Sequence, residues 1–201
     1  MPISFHEERQ IFYYELGLAM TQWAHVEHAF QHAYTSSFKK FDMAIAMTFY
    51  AVENFRSKLS VADTAFHLNL TSAMYEEWET LHQKLRKRST VRNQFAHRYV
   101  KNRPENKPGR RILLMPNNLK PLPKDNYSEN RAYAVRDLAL YRYAFYGLSN
   151  QLLNFADRIY GSAAPFAVPH GPLERPPTLD SLLERYEFSR VQPALDRKSV
   201  V

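Results

Sequence analysis

Apolar residues recur at helical spacing through most of the first 160 residues. At 100° per residue, Leu16, Met20, Trp23, Phe30 and Tyr34 share one stripe, and Trp78, Leu81, Leu85, Phe95, Ala96 and Tyr99 share another. The pattern predicts four long helices, over residues 7–36, 42–68, 72–101 and 129–160. Breakers support the division. No proline falls between Pro2 and Pro104, and Gly17 is the only glycine there; the remaining prolines lie between Pro104 and Pro123 or between Pro165 and Pro193. A proline inside a helix removes a hydrogen-bond donor and clashes with the preceding turn, so this stretch permits uninterrupted helices. The expected fold is all-α, an antiparallel bundle of four long helices over residues 1–160. A Pro/Lys/Asn loop carrying a short extended piece at Ile112, Leu113, Leu114 and Met115 separates the last two helices. A proline-rich extension follows over 161–201, with one short helix near 178–186 capped by Thr178.

Two charged residues interrupt the stripes. Glu27 falls on the stripe of the first helix, and Arg92 points along the centre of the stripe on the third. A lone charge in an apolar layer is too costly to persist, so each needs a partner. Pairing of Glu27 with Arg92 across two helices is the economical solution, with Arg56 and Asp63 as substitutes. Beside the stripe, Asn93 and His97 stand four residues apart on one flank of the third helix.

Composition narrows the chemistry. The 201-residue chain has no cysteine, which removes disulfides, thiolate metal sites and cysteine nucleophiles and fits a reducing, cytoplasmic setting. Five glycines provide neither a phosphate loop nor a dinucleotide fingerprint. No apolar run approaches a membrane span, and the first residues do not read as a secretory signal. The net charge is +7, and it is concentrated. Eleven basic residues and one acid, Glu105, lie from Lys84 to Arg111, a net +10 that leaves the rest of the chain at −3. Such a segment favours a polyanion.

The segment Val91-Arg92-Asn93-Gln94-Phe95-Ala96-His97-Arg98-Tyr99 resembles the motif of the HEPN superfamily, an arginine often followed by asparagine, then four to six residues and a histidine, in an all-α bundle. Trp23 and Glu27, four residues apart in the first helix, and the third helix opening at Trp78 are similar to elements of several HEPN families. The resemblance covers residues 10–160. It implies a metal-independent endoribonuclease without cofactor, a homodimer in which two motifs face one cleft. His97 would be the general acid/base, Arg92 the phosphate stabiliser and Asn93 its hydrogen-bonding support, with Glu27 orienting Arg92 or polarising His97. Those residue types suit the reaction. RNA carries its own 2′-hydroxyl nucleophile, an imidazole exchanges protons near neutrality, and a guanidinium grips phosphoryl oxygens in fork geometry. Arg86, Arg88, Arg98, Lys101 and Arg103 would bind the RNA backbone. His97, Arg98 and Tyr99 also match the His-x-Tyr extension of HEPN toxins whose partner antitoxin adenylylates the tyrosine, which makes Tyr99 a candidate modification site; its place on the apolar stripe also reads as a core tyrosine. The implied setting is toxin–antitoxin or phage defence, with an antitoxin or defence protein as partner. The alternative is a non-catalytic nucleotide- or protein-binding module in which Arg92 and Glu27 form a structural ion pair.

Two further groupings carry less. His25, His28 and His32 project from one side of the first helix at spacings that suit a metal, but no carboxylate joins them, and Tyr14 and Leu18 extend the same side as a partner surface. The aromatic residues Tyr133, Tyr141, Tyr143, Phe145, Tyr146, Phe155 and Tyr160 of the fourth helix read as core or dimer seam.

Overall fold

The computed structural model describes residues 5–39, 42–102, 112–116 and 132–161. It is an all-α helical bundle with one small two-stranded sheet. The helices are α1 (Phe5–Ser36), α2 (Met43–Ala51), α3 (Phe55–Asn69), α4 (Ser72–His97) and α5 (Val135–Tyr160), and the strands are β1 (Tyr99–Asn102) and β2 (Ile112–Met115). The short helix expected near 178–186, like the whole extension beyond Gly161, lies outside the described residues.

Three boundaries differ from the periodicity, each for a physical reason. The single helix expected over 42–68 is two. Asn54 takes an extended conformation and its Oδ1 accepts from the Ser57 amide at 2.8 Å, so it caps α3 and ends any continuation from α2. Asp42 caps α2 in the same way, accepting from the Ala44 amide at 2.8 Å. The third helix stops at His97 instead of Lys101, because residues 99–102 pair with β2. The last helix begins at Val135. Asp137 sits in its first turn and accepts from the Ala134 amide at 2.8 Å, satisfying a donor that the helix leaves unpaired. At the other end, Gly161 adopts φ +82°, the left-handed conformation that closes a helix, and its amide donates to the Asp157 carbonyl at 3.0 Å.

Residues cluster into two compact units, and α1, α4 and α5 each contribute to both. The described part of one unit comprises residues 5–22, 92–102, 112–116 and 132–144. Its centre is β2, all four residues of which are buried. β2 pairs antiparallel with β1 on one edge, with Tyr99 opposite Met115 and Asn102 opposite Ile112. Leu114 and Tyr133 exchange two backbone hydrogen bonds on the other edge, at 2.8 and 3.1 Å.

The described part of the second unit comprises residues 23–39, 42–91 and 145–161, and its core is aromatic. Phe30 stacks on Trp78 at 5.6 Å, Phe66 meets Trp78 edge-on at 4.4 Å, and Trp23 meets Phe55 and Phe145 at 5.0 and 5.2 Å. Such pairs add about 0.5–1.5 kcal/mol each beyond the area they bury. The indole N–H of Trp78 is satisfied by Asp63 at 2.8 Å, so the ring is buried without stranding its donor.

Candidate active site

The last turns of α4 carry the motif. Asn93 and His97 are both exposed, one helical turn apart on the same flank. Arg92 lies on the apolar stripe, as its sequence position requires, and is half-buried. Nη1 donates to Oδ1 of Asn93 at 3.2 Å, whereas Nε stays buried without a hydrogen-bond partner among the described residues. Asn93, on the flank that holds His97, is thus the hydrogen-bond partner of the guanidinium among the described residues. A cation, an amide and an imidazole fall within the last six residues of one helix.

A packed layer fixes that helix end. Phe95 is buried and meets Tyr133 and Tyr141 edge-to-face at 5.0 and 5.7 Å, and the two tyrosines meet each other at 5.7 Å. The Tyr133 hydroxyl donates to Oε1 of Gln94, and the Arg98 guanidinium lies 4.5 Å from the centre of the Tyr133 ring. Burial pushes the Tyr133 hydroxyl up to about 12, with Tyr141 adding to the shift, Arg98 opposing it and Asp137 adding a smaller part. Tyr133 is thus a neutral donor at any physiological pH. Residues 94, 95 and 98 hold the helix end, while Asn93 and His97 are exposed and Arg92 is half-buried.

The proposed partner of Arg92 is engaged elsewhere. Glu27 accepts from the Trp23 indole at 2.6 Å and lies 3.6 Å from the ammonium of Lys58. Lys58 is buried, with its ammonium 5.1 Å from the Phe49 ring centre. Within its own unit Glu27 pairs with Lys58, while Asp63 accepts from the Trp78 indole and the Tyr75 hydroxyl. A lysine in an apolar layer needs a carboxylate more than a guanidinium that has a neighbouring amide.

Tyr99 is a second correction. Helical periodicity carried it on the core stripe, but the helix has ended and the strand alternation leaves the ring 49% exposed. Ala96, on the same expected stripe, is exposed as well. Of the RNA-binding candidates, Lys101 is exposed on β1, and Arg98 is stacked on Tyr133. Arg86 is exposed and Arg88 half-buried further back along α4, and Arg103 lies outside the described residues.

A buried ion pair lies outside what periodicity alone suggested. Glu15 and Arg142 are joined by two hydrogen bonds, at 2.9 and 3.2 Å. The signal was available: Glu15 lies between buried Phe12 and Ala19, and Arg142 between buried Leu138 and Phe145, all at helical spacing. Among the described residues no group of three or more His, Asp or Glu side chains is placed to share a metal ion, the three histidines of α1 included. No described helix is long and apolar enough to cross a membrane. Of the aromatic residues assigned to the last helix, Tyr141, Phe145 and Phe155 are buried and Tyr143 is exposed, whereas Tyr133 precedes the helix.

Comparison of the chain with protein-family models, with curated proteins and with solved structures finds no match.

Proposed function

We propose that the chain is a metal-independent endoribonuclease of the HEPN type, active as a homodimer, and that Arg92, Asn93 and His97 form its half of the site. One observation carries this reading: Arg92 bonds to Asn93 on the exposed flank of His97, not to a buried carboxylate. A guanidinium whose one hydrogen bond among the described residues goes to a neutral amide keeps most of its donors for a phosphate. The same observation weighs against the non-catalytic alternative, which needed Arg92 as half of a structural staple.

In the proposed reaction the 2′-hydroxyl oxygen attacks the adjacent phosphorus as its proton passes to an imidazole. The bond from phosphorus to the 5′-oxygen breaks, and that oxygen receives a proton from a second imidazole. Two copies of the motif supply the two imidazoles. Charge accumulating on the phosphoryl oxygens meets Arg92, whose placement by Asn93 precedes substrate binding and so costs little reorganisation. The products are a 2′,3′-cyclic phosphate and a 5′-hydroxyl. The basic segment from Lys84 to Arg111 supplies the field that concentrates RNA at the site. A toxin–antitoxin or phage-defence setting, with a neutralising partner protein, is part of the same reading.

The test is incubation of the purified protein with mixed RNA in EDTA, beside the His97→Ala variant. Cleavage by the parent protein alone, leaving cyclic phosphate ends, supports the proposal. Inactivity of the parent protein on structured and unstructured RNAs alike overturns it.

A further inference from the structure

β1 presents an aromatic ring two residues from the imidazole of the site. Tyr99 is 49% exposed, yet its backbone is fixed by antiparallel pairing with Met115 of the wholly buried β2. Side chains alternate along a strand, so Tyr99 and Lys101 share one face, about 6.8 Å apart, while Val100 and Asn102 take the other. Arg98 already stacks on Tyr133, which anchors the start of the strand. An exposed aromatic ring and an exposed cation are thus held in series on a paired strand that begins two residues after His97. That order, ring and then cation, matches a single strand of nucleic acid, whose bases stack on aromatic faces while its phosphates meet basic residues. A paired base offers no free face, so such a ring selects unpaired substrate.

We propose that Tyr99 is a base-stacking residue for single-stranded RNA, seating the unpaired base beside the phosphate served by Arg92 and His97, with Lys101 taking a neighbouring phosphate. This role rests on the proposed endoribonuclease activity for its position relative to the scissile bond. It uses the ring and not the hydroxyl.

The experiment measures binding separately from cleavage. A labelled, unstructured 2′-O-methyl oligonucleotide lacks the nucleophile, so its binding is read whether or not the protein cuts. Tyr99→Phe should bind as the parent protein does. Tyr99→Thr, which keeps a strand-forming residue, should bind about tenfold more weakly, with its salt dependence unchanged. Lys101→Gln should reduce the salt slope by about one unit. A duplex of the same length should compete poorly. Equal binding by Tyr99→Thr and the parent protein, equal competition by the duplex, or no binding at all overturns the proposal, as does loss of affinity in Tyr99→Phe, which would make the hydroxyl the functional group. If the Tyr99 effect appears while RNA is never cut, stacking stands and the nuclease reading alone falls.

Discussion

Arg142 grips Glu15 in fork geometry, Nε on Oε2 at 2.9 Å and Nη2 on Oε1 at 3.2 Å, with the carboxylate side chain 1% exposed and the guanidinium side chain 9%. Each charge has left water, and two directed bonds offset that loss only while both partners are present. Either Glu15→Leu or Arg142→Met alone should therefore cost about 3–5 kcal/mol, by stranding the other charge. The double variant should recover most of that loss. Denaturant midpoints of the two single variants and the double variant check this. Near-additive losses would mean that the side chains contribute packing and not a coupled charge pair.

Glu27 and Arg92 should separate cleanly in their effects. Glu27→Ala leaves Lys58 without its carboxylate and the Trp23 indole without its acceptor, so it should destabilise by about 1–3 kcal/mol while the folded fraction keeps its RNA cleavage. Arg92→Ala should abolish cleavage with little change in melting temperature, because its one side-chain bond goes to an exposed neighbour. Parallel melting and cleavage assays decide; a large loss of stability in Arg92→Ala would return the residue to a structural role.

His97 ends α4 in an exposed position, so its removal has little packing to disturb. His97→Ala should lose cleavage by at least a hundredfold, the scale typical of a general acid or base, with its unfolding midpoint within about 0.5 kcal/mol of the parent protein. Cyclic phosphate formation quantified on a single unstructured RNA is the readout. Unchanged cleavage would remove His97 from the mechanism.

Tyr133 predicts an alkaline signature. Its hydroxyl ionises near 12 in the folded protein against about 10 in an unfolded chain, so the native state holds this proton more tightly. The stability from this group is complete below pH 10 and falls away between pH 10 and 12, because the unfolded state is then the one that gains by releasing the proton. A tyrosinate absorbance titration should show a late-titrating group that is missing in Tyr133→Phe, and that variant should have a flatter loss of stability across the same window. A full complement of tyrosines titrating near pH 10 would contradict the burial that raises it.

Helical content was legible in the sequence because periodicity and the absence of proline are local properties. The stripe through Trp78, Leu81, Leu85 and Phe95 is buried as its spacing requires, and Ile112 to Met115 is extended as its flanking prolines suggest. Asp42 marked a helix start in its own sequence. Asn54 marked another that a continuous apolar pattern concealed. The Arg92, Asn93 and His97 spacing was likewise readable, since residues four apart share a helix flank whatever surrounds them.

Which charge meets which was not readable. Glu27 had several basic candidates at compatible angles, and only the packing of α3 brings Lys58 to it. Glu15 and Arg142 lie 127 positions apart, and each looks like an ordinary polar residue until the tertiary fold removes it from water. The end of α4 was decided at a distance too: β2 captures residues 99–102 as a strand, which moves Tyr99 from the expected core to an open face. Period and breakers act within a few residues and are written along the chain. Charge pairing, strand capture and exposure depend on segments far apart in sequence, and only the folded protein sets the distances between them.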